Sequence, residues 1–198
     1  MKKLVLCTML LFLMMVTAGC TQEDLNIVAE DVTTNTFLAK ADGLLQVATV
    51  EDFDKDYYEL SELEAFIAKK INGFNDSADD KTVTIDSVSQ RGDKAIMILS
   101  YPGMEAYANF NEVYAAYFTG GIEDVDLDLP ATLINTKNDS LASTQEILQN
   151  NKYKILVLYE PYKIIVDGSI KYYSENSEYV DDNTVQGAAE GITVVVFK

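Results

Sequence analysis

The chain has no histidine, no tryptophan, three prolines and two cysteines among 198 residues. Each shortage removes a class of chemistry. Without an imidazole there is no histidine base to activate a serine, cysteine or threonine nucleophile, and no His–Cys zinc site. Both cysteines, Cys7 and Cys20, lie within the first twenty residues. The remainder can form no internal disulfide and must be held by an apolar core. Hydrophobic residues make up 48% of the chain, enough for that. Basic residues are also scarce, 15 against 32 acidic ones, for a formal charge of −17. That charge repels phosphate backbones and argues against a nucleic-acid partner. It has the wrong sign for lying on anionic lipid through the protein face. Carboxylate chemistry, Ser–Lys pairs and oxygen-ligated hard cations remain open.

A long hydrophobic run is absent as well. After Lys2-Lys3, the stretch from Leu4 to Val16 is uncharged and mostly aliphatic or Met. Its 13 residues suit the core of a signal peptide. Such cores run to roughly 7–15 residues, and crossing a bilayer takes about 20. The run ends in Thr17-Ala18-Gly19-Cys20, which resembles the lipobox of bacterial lipoproteins, with Thr17 where Leu is more usual. The resemblance implies removal of residues 1–19 as a leader. It also implies acylation of Cys20 by palmitate-type chains, on the sulfur and as the first mature residue. Two or more acyl chains make a stable anchor where one does not. Residues 20–31 then read as a polar tether, and 32–198 as a single domain. The expected location is the extracytoplasmic face of the cell membrane, with the lipid on Cys20 as the membrane contact. An ordinary secretory leader is the alternative.

The domain reads as α+β, an antiparallel sheet built from β-hairpins with two main amphipathic helices. Asp42-Gly43 between β-prone runs predicts strands near 33–40 and 44–50. Leu60, Leu63, Phe66, Ile67, Ile71 and Phe74 recur at helical spacing, predicting a helix from 57 or 60 to Asn72 that ends at Gly73. A second hairpin turns on Arg91-Gly92-Asp93, and its strand "AIMILSY" is apolar on both faces, as in a sheet interior. Met104, Tyr107, Phe110, Val113, Tyr114 and Tyr117 form the stripe of a second helix, closed by Gly120-Gly121. A short helix is expected within 140–150, a strand at "YKILVLYE", a third hairpin around Asp167-Gly168, a loop over 174–191 and a last strand at "ITVVVFK".

Candidate sites are few. Asp124, Asp126 and Asp128 alternate as at the start of a calcium loop. Leu129 and Asn135 then stand where an EF-hand loop needs Gly and Glu, so the competing reading is a strand with a wet acidic face. Asp54, Asp56 and Glu59 form a second acidic run, in which Asp56 would serve the start of the helix. "YVDDN" at 179–183 reads as a solvated loop. Ser-x-x-Lys, Gly-x-Ser-x-Gly and Walker-type loops are absent. No catalytic residue and no cofactor are assigned. Most of the 12 tyrosines are expected in the core, with Tyr57-Tyr58 and Tyr172-Tyr173 as the pairs in which one ring could face outward.

The segment Phe53-Asp54-Lys55-Asp56-Tyr57-Tyr58-Glu59-Leu60-Ser61-Glu62-Leu63, followed by Phe66-Ile67, resembles uncharacterised lipoproteins of anaerobic Gram-positive bacteria. These share a leader, an opening hairpin and such a "YY…EL…FI" helix. The resemblance implies the address and carries no functional residues. The leading expectation is a non-enzymatic, lipid-anchored ectodomain that binds a protein partner or supports an assembly in the cell envelope, which calls for an exposed apolar or aromatic patch. A module for Ca²⁺ or another small ligand is the alternative. A carboxylate hydrolase, with two carboxyl groups whose pKa values are pushed apart, comes third.

Overall fold

A computed structural model of the chain describes residues 25–77, 82–121 and 128–198. It opens with the expected hairpin, β1 (Thr36–Ala39) and β2 (Leu45–Asp52). Gly43 takes a positive φ of 92° to close the turn, and Leu44 N–H bonds the Asp42 carboxylate at 3.0 Å. The second hairpin, β3 (Thr84–Arg91) and β4 (Lys94–Tyr101), turns through Gly92 at φ 63°. A left-handed first turn residue matches the twist of the two strands, and glycine adopts it without steric cost. β4 pairs with β2 along its whole length, from Leu45↔Tyr101 to Asp52↔Lys94. It is paired with β3 on its other side, as its two apolar faces predict.

Beyond Tyr101 the hairpin rule fails, and the single antiparallel sheet becomes two. β5 (Ala116–Thr119), β6 (Thr132–Asn135), β7 (Leu141–Ser143), β8 (Lys154–Leu158), β10 (Ile170–Tyr173) and β13 (Thr193–Phe197) form a six-stranded antiparallel sheet. Its order is β5-β8-β13-β10-β6-β7. β9 (Lys163–Val166) leaves that sheet and joins the first one, pairing parallel with β1. β12 (Thr184–Gln186) and β11 (Glu178–Asp181) extend it, so the expected loop over 174–191 contains a hairpin. The first sheet is thus mixed, with order β11-β12-β9-β1-β2-β4-β3.

β9 and β10 do not form the expected third hairpin. Asp167 N–H bonds Ala39 in the first sheet, and Ser169 N–H bonds Lys198 beside the second. The chain crosses between sheets at Gly168. A Cβ there would lie 3.0 Å from both the Lys198 carbonyl and the Phe197 ring. The glycine is a point of close approach rather than a hairpin turn.

Among the described residues the α-helices are α1 (Leu60–Asn75), α2 (Met104–Asn111) and α3 (Thr144–Leu148). α1 runs past Gly73 to Asn75, whose side-chain amide bonds both the N–H and the carbonyl of Val83 at 2.9 Å. That clasp ties the helix end to the residue before β3 and replaces the expected glycine stop. α2 is half the expected length. Glu112 takes the left-handed conformation (φ 56°) and Val113 N–H bonds back to Ala108, a cap of the kind that ends helices. Residues past it enter β5, where side chains alternate. Ala115 and Tyr117 pack against one cluster, Ala116 and Phe118 against another. Gly120 and Gly121 therefore do not close a helix. Gly120 passes the 148–150 backbone so tightly that a Cβ would lie 2.4 Å from the Asn150 carbonyl.

The main core lies where the sheets and the first two helices meet. Phe37, Leu45, Val47 and Ile164 from the first sheet join Leu156, Leu158, Val195 and Phe197 from the second, with Ile67, Ile71, Tyr107 and Phe110 from the helices. The alternate residues Ile155, Val157, Val194 and Val196 pack with α3 on the other face of the second sheet. On the other face of the first sheet, Ala48, Ile96 and Ile98 are covered by Ile27, Ala29 and Val32. The covering segment is pinned by Ile27 N–H to Gln46, Lys40 to Asn26 and Arg91 to the Glu30 and Val32 carbonyls. These contacts order the segment along the sheet, from the turn of the β1–β2 hairpin at Lys40 to the end of β3 at Arg91. Among the described residues, no helix is long and apolar enough to cross a membrane.

Candidate functional site

β2 ends at Asp52, and the next seven residues fold back so that α1 starts over the inner face of the sheet. Phe53 N–H bonds Asp93 at 2.6 Å, and Tyr58 N–H closes a turn onto Lys55 at 3.0 Å. Helix and sheet do not close completely here. Between the first turns of α1 and the ends of β2 and β4 lies an open groove of about 430 Å³. Phe53, Tyr58, Leu63, Phe66, Ala95 and Met97 give it an apolar floor and wall, and Glu51, Asp52, Glu59 and Glu62 give it an acidic rim.

The rings are unusually open to solvent for their size. Phe66 is 67% exposed, Tyr57 72% and Tyr58 41%. Tyr58 packs on Phe53 at 5.1 Å and edge-on against Tyr57 at 5.0 Å, so the rings hold one another in place without being covered. The placement of Phe66 corrects the reading of the helical stripe. The contacts to the core run through Leu63, Ile67, Ile71 and Phe74, and Phe66 is rotated about 100° from Ile67 on the helix, away from the core.

Two of the local carboxylates have cationic partners. Asp54 pairs with Lys55 at 3.0 Å, and Asp52 with Lys94. The hydrogen bond from Lys94 holds the Asp52 carboxyl below its usual range and raises Lys94 in turn. Glu51, Glu59 and Glu62 make no ion pair among the described residues. Glu59 is the residue before α1 and Glu62 lies in its first turn, where a negative charge favours the helix. Glu51 has no such reason to be there. Asp56 does not cap α1: the capping position is Glu59, whose side chain makes no capping hydrogen bond.

The other candidates are not brought together. Asp124 and Asp126 lie outside the described residues, as does Cys20, and Asp128 is exposed. Among the described residues no group of three or more His, Cys, Asp or Glu side chains is arranged to hold a metal ion. "YVDDN" ends β11 and turns into β12 at Asp182-Asn183, with Tyr179 donating to Asp182 at 2.9 Å and Asn183 N–H to Asp181 at 3.0 Å. Tyr172 packs on Tyr153 and Tyr173 stacks on Tyr179, so Tyr57-Tyr58 is the pair that faces out. Tyr114, expected in the core, is exposed and packs edge-on with Tyr159 at 5.3 Å. A second depression of about 340 Å³ lies at the opposite end of β2 and β4, lined by Lys40, Leu44, Leu45, Thr84, Ser100 and Tyr101 among others. It has one cation and no ring comparable to those of the acidic groove.

The acidic groove is built from the "FDKDYYELSEL" segment together with Glu51, Asp52, Phe66, Ala95 and Met97. Of the rim acids sequence reading picked out Glu59, and it singled out the Tyr57-Tyr58 pair separately. The signal that joins them is the concentration of both within a dozen residues. No family model, curated protein or solved structure matches this chain.

Proposed function

We propose that this chain is a non-enzymatic, lipid-anchored ectodomain that holds a protein partner at the cell envelope through the Phe53–Tyr58–Phe66 groove. The observation that carries the reading is the set of exposed rings. Exposed aromatic side chains gathered in a concave site are the usual anchors of protein interfaces, and scattered surface residues do not gather in this way.

The geometry of the tether supports the same reading. The described chain begins beside Lys40 and Gln46, at the opposite end of β2 from Asp52 and Phe53. β2 has eight residues, which at roughly 3.3 Å each is a rise of about 26 Å. An anchor at Cys20, five residues before Leu25, can reach no more than about 18 Å from it. With the anchor there, the tether is shorter than the rise of β2 and joins the domain at the end away from the groove.

Two measurements test this. Replacing Cys20 with Ala should move the protein from the detergent phase to the aqueous phase; retention in detergent would remove the anchor from the proposal. A photoreactive side chain at position 66 should give a discrete protein adduct in intact cells, and one at the exposed Val180 should not. Equal labelling from both positions, or none from 66, would count against the groove.

A further inference from the structure

The chemistry of the groove narrows the partner, given the reading above that the groove is a docking site. We infer that its occupant is a cationic amphipathic segment of a partner protein, one that carries Lys or Arg beside apolar side chains. Three observations converge on this. The rim places Glu51, Glu59 and Glu62 around one apolar floor, with no ion pair to any of them among the described residues. The nearby cations Lys55 and Lys94 are already engaged by Asp54 and Asp52. The exposed rings of Tyr57, Tyr58 and Phe66 offer faces that attract an ammonium or guanidinium group. The protein uses this contact itself, with Lys70 Nζ 4.4 Å from the centre of the Phe110 ring.

The same charges disfavour other occupants. A second copy of the chain carries a formal charge of −17 and is repelled by an acidic rim. Anionic lipid is repelled for the same reason. A small ligand in a specific site is usually buried on most of its surface, whereas this groove is open along its length. An apolar segment without charge would fill the floor and leave the rim carboxylates partly desolvated with nothing to offset them.

The test uses the full chain in neutral detergent and a short dansyl-labelled peptide of alternating Lys and Leu. Two control peptides replace Lys with Glu, or Leu with Ser. The Lys–Leu peptide should bind saturably and more weakly as salt rises, and neither control should bind comparably. Phe66→Ala should weaken binding about tenfold, the loss of one well-packed interface ring. The double variant E51Q/E62Q should weaken it several-fold and flatten its salt dependence. A Lys–Leu complex indifferent to Phe66→Ala would overturn the groove as the site, and with it the docking reading. Sensitivity to Phe66→Ala with no response to E51Q/E62Q, or equal binding of the Glu–Leu peptide, would overturn the charge inference alone. Equal binding of the Lys–Ser peptide would reduce the interaction to non-specific attraction by the acidic chain, and would also overturn it.

Discussion

Two groups of aromatic rings have nearly the same centroid spacing and opposite surroundings. In the core, Phe37, Tyr101, Tyr107, Phe110 and Phe74 meet largely edge to face, with centroids 5.1 to 5.8 Å apart. In the groove, Phe53, Tyr57 and Tyr58 meet at 5.0 and 5.1 Å. Tyr107 is nevertheless 1% exposed and Tyr57 72%. The contact between rings does not distinguish core from surface; the layer that covers their other sides does. α1 supplies that layer over Phe110 through Phe74, and its first turns leave Tyr57 and Tyr58 uncovered.

The contrast makes predictions of decreasing size. Tyr107→Ala should cost about 4 kcal/mol in a denaturant titration, the range for deleting a buried aromatic. A loss near 1 kcal/mol would mean that the cluster is loosely packed. Alkaline pH should act on the buried set next. Burial pushes Tyr101 and Tyr117 from 10.0 up to about 12, and raises Tyr107 and Tyr162 as well. The folded chain keeps protons that the unfolded chain releases from about pH 10. Stability is therefore intact below about pH 10 and falls as pH rises toward 12. An unfolding midpoint constant over that interval would place these hydroxyls in water.

Smaller effects sharpen the boundary between the two groups. Glu112, exposed and left-handed at the end of α2, separates buried Tyr107 and Phe110 from exposed Tyr114. Glu112→Gly should stabilise by roughly 0.5–1 kcal/mol, because glycine takes that conformation without steric cost; a loss of stability would show that the Glu side chain contributes more than its backbone costs. Phe66→Ala should change stability by less than about 0.5 kcal/mol, as expected for an exposed residue. A destabilisation like that of Tyr107→Ala would make Phe66 a structural residue and close the groove hypothesis.

The parts of the fold readable from sequence are those governed by neighbours along the chain. The turns at Asp42-Gly43 and Gly92 and the presence of α1 rest on local spacing and backbone freedom. The parts misread are those decided at a distance. Asp167-Gly168 carries a hairpin signal, but β1 and β12 capture β9 for the first sheet while β13 holds β10 in the second. The stripe from Met104 to Tyr117 satisfies a helical period, and from Ala115 onward it satisfies alternation equally well, so spacing could not locate the break at Glu112. In the candidate site the tyrosines and acids were visible. Their union was not, because Glu51, Ala95 and Met97 reach the groove only through the β2–β4 register.

The parallel pairing of β1 with β9 also sets a clock. Thr36 meets Lys163, 127 positions later. At a synthesis rate of about 5–20 residues per second, β1 waits roughly 6–25 s for that neighbour to be made. Until then one edge of the opening hairpin is bare, and the main core lacks Ile164, Val195 and Phe197. A polypeptide ordered in this way completes its first sheet and its main core only late in its own translation.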